Sequence, residues 1–271
     1  MNVRSMSEPF LSQFREMIRE GAGTLDFHDG QAGTAYTREV RAYDSLIERE
    51  VARVDLHLAS ICKLLERYVG RVGRVLDVGC GTGATTIAVA LASGLGGPSV
   101  LGIDPNARSI AAARVRAQGY GLDDRVRFEH VEAGKPFPVE PDSHDLVLCI
   151  SVLEYLGSPE SRRQFGAELL RAARPGGTIC LATPSPYRLR DYHTRRLFGD
   201  FRRREGYPWA SRPAEIREMF RGHAVRFLRG EQFEHGLMRR GIRIGKAARL
   251  LAPFAAFLQW QKVLVTKSPA R

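Results

Sequence analysis

Asp77 closes an apolar run, and glycines follow it at alternate positions, Gly79, Gly81 and Gly83, with Cys80 between the first two (VLDVGCGTGATT, residues 75–86). Glycines this dense, leading into a helix, let a ligand lie against bare backbone. A nucleoside-triphosphate loop ends in Gly-Lys-Ser/Thr, and no lysine stands here. A dinucleotide loop is spaced GxGxxG, and here the third glycine comes one residue early. The carboxylate of Asp77 would also repel a pyrophosphate. The pattern favours a zwitterionic, sulfonium-bearing ligand, an adenosine joined to a methionine chain.

A proton acceptor is a separate requirement. His193 lies in PSPYRLRDYHTRRLFGDF, between Asp191–Tyr192 and a run of arginines. A histidine there can take a proton near neutral pH. His223 reads as structural. The four cysteines, Cys62, Cys80, Cys149 and Cys180, form no CxxC pair. They imply no zinc site and no disulfide framework, and read as buried thiols of a reducing compartment. No metal is expected.

These residues need a scaffold, and the middle of the chain alternates short strands with helices. Strands are expected at 73–78, 99–103, 126–131, 145–150 and 178–183, each rich in Val, Ile or Leu. Helices are expected at 84–93, 106–118 and 160–173, with Arg174-Pro175-Gly176-Gly177 turning the chain into the fifth strand. Such alternation makes an α/β fold, a doubly wound, mostly parallel sheet covered on both faces. Ligands bind such sheets at the carboxyl ends of the strands. The first 35 residues read as loosely structured, and a helix broken once is expected from about Thr37 to Tyr68.

At this level VLDVGCGTG resembles the first motif of class I S-adenosylmethionine-dependent methyltransferases. VLGIDPN looks like their second, in which the acid ending the second strand grips the ribose. The resemblance implies Asp104 on the ribose hydroxyls and Pro105 beside the adenine. It implies Glu132 and Ala133 at the adenine-contacting turn after the third strand, and Ile150 and Ser151 beside the cofactor. Cys80 joins Asp77 and the three glycines in the cofactor loop. ARPGGTICLATP is similar to the family's turn into the fifth strand. The fold implied is the seven-stranded Rossmann-like methyltransferase fold, with an N-terminal helical extension. Its sixth strand is expected in HAVRFLRGEQF and an antiparallel seventh at 259–266. S-adenosyl-L-methionine is the cofactor implied and S-adenosyl-L-homocysteine the product.

The acceptor is less determined. CISVLEYL stands where methyltransferases of exocyclic nucleobase amines carry Asn or Asp followed by Pro-Pro-Tyr. VLEYL instead resembles the segment of quinone, sterol and small-molecule enzymes, with Tyr155 in place of a histidine as a catalytic candidate beside His193. The expected organisation is a helical cap over residues 1–70 and a core over 71–271, with a substrate or flap insertion around 186–258. The net charge is +11, and residues Arg188 to Arg249 hold 17 Arg and Lys against 7 Asp and Glu. This stripe leaves two readings open. One is a small-molecule or lipid-like acceptor methylated at oxygen, the other an RNA-binding methyltransferase. No RNA-binding module is recognisable, so nucleic acid is the disfavoured partner. Glu234 to Leu258 runs from basic to apolar, as in a flap that touches an anionic membrane surface. A cytoplasmic location, peripheral to a membrane if that contact is made, is expected, and oligomeric state is not legible.

Overall fold

The computed structural model describes residues 6–24, 50, 52–187, 210–228 and 260–269. Two compact units divide the chain, Met1–Pro138 and Val139–Arg271. Within the first, helix α1 spans Glu8–Thr24. A helical stretch at 52–57 passes through a π-helical turn, Leu58–Cys62, into α2, Lys63–Tyr68. Then come β1 (Arg74–Val78), α3 (Ala84–Leu91), β2 (Ser99–Asp104), α4 (Ala107–Gly119) and β3 (Val126–His130). β1 pairs with β2, and β2 with β3, all parallel.

The local reasons are readable. Residues Val75 to Val78 of β1 are all buried, as a strand covered on both faces requires. α3 is built from Ala, Thr, Ile and Val, and every residue from Ala84 to Ala90 is buried. α4 starts where Asn106 Oδ1 accepts the backbone N–H groups of Arg108 and Ser109, both at 3.0 Å. This cap satisfies donors that the first helical turn would leave unmade.

The N-terminus departs from expectation. Residues 8–24 are helical, not loose. Phe10, Phe14 and Ile18 recur every four residues and pack with Met6 against Ala112 and Val115 of α4. Burying that stripe stabilises a segment whose charged residues mask its periodicity. Of the expected helix from Thr37, residues 37–49 and 51 lie outside the described residues.

The second unit contains β4 (His144–Ile150), a 3-10 turn at Leu153–Tyr155, α5 (Pro159–Ala172) and β5 (Ala173–Pro184). α6 (Pro213–Met219), β6 (Ala224–Phe227) and β7 (Trp260–Thr266) complete it. β5 begins earlier than expected. Arg174 to Gly177 belong to the strand, and the register against β4 shifts between His144 and Leu146 to admit them. β7 runs antiparallel to both β5 and β6. Among the described residues the seven strands are ordered β3-β2-β1 in the first unit and β4-β5-β7-β6 in the second, the sheet of an α/β fold. His223 stands just before β6, its Nδ1 accepting the Ser268 N–H at 3.1 Å, a structural contact. All four cysteines are buried, Cys62 and Cys80 in the first unit and Cys149 and Cys180 in the second. Among the described residues no helix is long and apolar enough to cross a membrane.

Candidate functional site

The glycine loop is tied to the end of β2. The N–H groups of Gly79 and Cys80 both donate to the Ile103 carbonyl, at 2.8 and 3.1 Å. Gly81 N–H donates to Oδ2 of Asp104 at 2.8 Å, and Asn106 N–H to Oδ1 at 2.8 Å. The three glycines have φ of +70°, +52° and +80°, a region costly for other residues. Beyond φ, the last two differ in what their missing side chains permit. A Cβ on Gly83 would stand 2.7 Å from Phe128 Cζ and 3.0 Å from Ala113 Cβ, so this glycine is required by packing. A Cβ on Gly81 meets nothing within 4 Å, so its bare face opens onto space. Phe128 also presses on Gly102, where a Cβ would stand 3.0 Å from Cys80 Sγ. The Cys80 side chain is thus turned into the β2–β3 packing, and burial pushes its thiol pKa far up.

Two carboxylates flank this loop. Asp77 is 1% exposed and accepts a 2.6 Å hydrogen bond from the Thr86 hydroxyl. Burial raises its pKa to about 7; the Thr86 bond works against that rise, and the charge of Asp104 adds to it. Burial raises the Asp104 pKa too, opposed by the N–H groups of Asn106 and Gly81. The fold therefore resists full ionisation of both acids, Asp77 buried and Asp104 half-buried, and a cation placed beside them would restore their charge.

The turn after β3 is fastened to the same corner. Val131 N–H donates to the Asp104 carbonyl at 3.2 Å, and His130 Nε2 lies 3.1 Å from the Pro105 carbonyl. Glu132 and Ala133 follow at once, both exposed, with the Glu132 carbonyl accepting Lys135 N–H at 3.3 Å. Asp77, Gly79, Cys80, Gly81, Gly83, Asp104, Pro105, Glu132 and Ala133 thus all belong to the first unit, on connected strand ends.

In the second unit, Ile150 ends β4 and Ser151 follows with φ +62°, its N–H bonded to the Ala182 carbonyl at 2.8 Å. A left-handed serine costs about 1 kcal/mol or more, strain of the kind concentrated at functional positions. Tyr155 is 37% exposed. Its neighbour Glu154 is buried, with Thr183 Oγ1 donating to Oε2 at 3.4 Å. A buried acid in this segment is a feature the sequence reading passed over for Tyr155. His193 lies outside the described residues, as does the segment from Glu234 to Leu258.

Sequence reasoning also missed Thr82 and Glu50. Thr82 stands between Gly81 and Gly83 in the glycine loop. Its hydroxyl donates to Glu50 Oε2 at 2.6 Å, across 32 residues of chain.

The methyltransferase-domain family matches residues 71–218. A ubiquinone biosynthesis O-methyltransferase of Leptothrix cholodnii is 34% identical over 121 residues, 44% of this chain and 48% of that protein. The chain spans about half the length of such relatives. Among solved structures, an S-adenosylmethionine-dependent methyltransferase from Aquifex aeolicus superposes with a TM-score of 0.50 at 18% identity, covering 78% of this chain and 91% of that one. The [4+2]-cyclase SpnF superposes at 0.53 with 20% identity, covering 78% and 81%. These two likenesses show the fold alone, and the cyclase illustrates that the fold carries more than one reaction. With its family spanning more than half of the sequence, the chain belongs to the methyltransferase-domain family, the class I S-adenosylmethionine-dependent methyltransferases.

Proposed function

We propose that the protein transfers a methyl group from S-adenosylmethionine to an oxygen of a small-molecule acceptor. The observation that carries this reading is the pinned carboxylate of Asp104. Each of its oxygens accepts one backbone N–H. Each keeps a second lone pair, enough to accept the vicinal hydroxyls of a ribose.

The residues present fit that cofactor on two further counts. A cationic ligand favours the ionised forms of Asp77 and Asp104, whose ionisation burial opposes, whereas a pyrophosphate would oppose it further. Gly81 offers bare backbone with room beside it. Bound there, S-adenosylmethionine supplies an electrophilic methyl on a good sulfonium leaving group. The chain's own task is to bind and orient. Asp104 holds the ribose, Pro105, Glu132 and Ala133 border the adenine, and the 79–83 loop supports the methionine chain with Cys80 packed beneath. Orientation of this kind supplies about 7–11 kcal/mol at best. The roles of Ile150, Ser151, Tyr155 and His193 rest on the family resemblance and on the sequence.

Methylation at oxygen is supported by what the ubiquinone-biosynthesis relatives are named for, as is a role in small-molecule biosynthesis. The RNA-binding alternative finds no support among those relatives. Calorimetry with S-adenosylmethionine, S-adenosylhomocysteine and NAD tests the cofactor. Micromolar binding of the first two, about −8 kcal/mol, is expected. Binding of NAD without them overturns the reading. Transfer of labelled methyl to a prenylated catechol, set against short catechols, tests the acceptor class. A peripheral membrane contact through Glu234 to Leu258 belongs to the same proposal, from its basic-to-apolar order. Flotation with anionic vesicles supports it, and indifference to them removes it.

A further inference from the structure

A buried charge cluster joins three distant parts of the first unit. Glu50 is 5% exposed and Arg116 of α4 is 1% exposed. Arg116 Nη2 donates to the Glu50 carbonyl at 3.0 Å and lies 3.3 Å from its Oε2. That same Oε2 accepts the Thr82 hydroxyl at 2.6 Å, and Arg53 donates to Oε1. The Arg116 guanidinium stacks 4.4 Å from the ring centroid of Phe14, which is fully buried in α1. Burial opposes ionisation of Glu50, but Arg53, Arg116 and the Thr82 hydroxyl outweigh it and bring its pKa to about 2. A charged acid is therefore fixed against the loop between Gly81 and Gly83.

Geometry decides what that fixing does. Thr82 separates the glycine that opens onto space from the glycine wedged on Phe128. Glycines at positive φ on either side of Thr82 leave the loop with many alternative conformations. The backbone bonds to Ile103 and Asp104 hold one side of it. The Thr82–Glu50 bond holds the other, and at 2.6 Å it has the length of a hydroxyl bonded to an ionised carboxylate.

We propose that Glu50 is a positioning residue for the cofactor loop, acting through the Thr82 hydroxyl and kept in place by Arg116 stacked on Phe14 of the N-terminal helix. This rests on the cofactor reading above for its consequence, not for its geometry. A preformed loop spares the ligand the cost of ordering it, so the N-terminal segment sets cofactor affinity without touching the cofactor.

Thr82→Val tests this without leaving a buried charge unpaired, because Arg53 and Arg116 still face Glu50. Hydrogen exchange of the ligand-free protein should speed several-fold in peptides spanning residues 78–86, while α1 stays protected. Affinity for S-adenosylhomocysteine, read by calorimetry, should fall roughly tenfold. Glu50→Gln keeps an oxygen able to accept the hydroxyl but loses the charge that strengthens the bond, so it should show a weaker loop signature, and in the double variant the two effects should add only in part. Phe14→Leu, keeping apolar bulk but losing the ring, should reproduce part of the effect. Unchanged exchange and affinity in Thr82→Val overturn the proposal, as does strict additivity in the double variant. A wild-type protein that binds no adenosyl ligand overturns the cofactor reading instead, and loop exchange still decides the tether.

Discussion

The hydroxyl of Thr86, in the first turn of α3, donates to Oδ2 of Asp77 at 2.6 Å inside the first unit. The sign of its consequence follows from the raised pKa. The ordinary value for Asp77 is 3.8 and the folded value about 7. The fold therefore prefers the neutral acid, so the stability involved is full below 3.8 and is lost as pH rises through about 7. Asp77→Asn should flatten this decline, read as unfolding midpoint against pH. An unaltered slope would place the titration elsewhere.

The same acid gives cofactor binding a pH dependence. A cationic ligand near Asp77 favours its ionised form, so binding should tighten as pH rises from 5.5 toward the Asp77 pKa of about 7 and then level off. S-adenosylhomocysteine lacks the sulfonium charge and should show a shallower dependence. Calorimetry in buffers of different ionisation enthalpy would register the released proton.

Asp104→Ala should weaken adenosyl-ligand binding by about 2–3 kcal/mol. It also strips acceptors from Gly81 and Asn106. A smaller loss of stability, about 1–2 kcal/mol in urea titration, should accompany it. Unchanged affinity would show that the ribose partner lies elsewhere.

Gly81 and Gly83 should separate under the same substitution. Gly83→Ala drives a methyl into Phe128 at 2.7 Å and should cost about 2–4 kcal/mol of stability. Gly81→Ala bears only the penalty of its φ, about 1 kcal/mol, and should chiefly reduce ligand affinity. Equal stability losses would erase the distinction.

Lys267 anchors the second unit. Its Nζ reaches Asp142 Oδ1 at 2.5 Å and the carbonyls of Leu170 and Ala173 at 2.7 and 2.9 Å. Lys267→Met leaves those partly buried acceptors unmet and should destabilise the fold by about 2–3 kcal/mol in urea titration.

How much of this was legible depended on sequence distance. The strand-loop-helix around Asp77 is a local pattern, with apolar run, glycines and small helical residues adjacent, and it reads directly. Asp104 lies 23 residues from Gly81, yet its place at a strand end followed by Pro-Asn made it visible. Arg116 meets Glu50 across 66 residues, and nothing near either residue announces the partner. α1 did carry a signal, Phe10, Phe14 and Ile18 at four-residue spacing, but interleaved charges hid it. At β5 the Pro-Gly-Gly sequence suggested a turn. A register shift absorbed those residues into the strand, and that kind of irregularity has no composition of its own.

The four buried cysteines, two in each unit, turn the molecule into its own stopwatch. With all four buried, labelling by a thiol-reactive dye should wait on a transient opening at each site. Peptide mapping of the labelled chain would time such openings around Cys62 and Cys80 apart from those around Cys149 and Cys180. Because Cys80 sits inside the glycine loop, an adenosyl ligand should slow its alkylation most of the four.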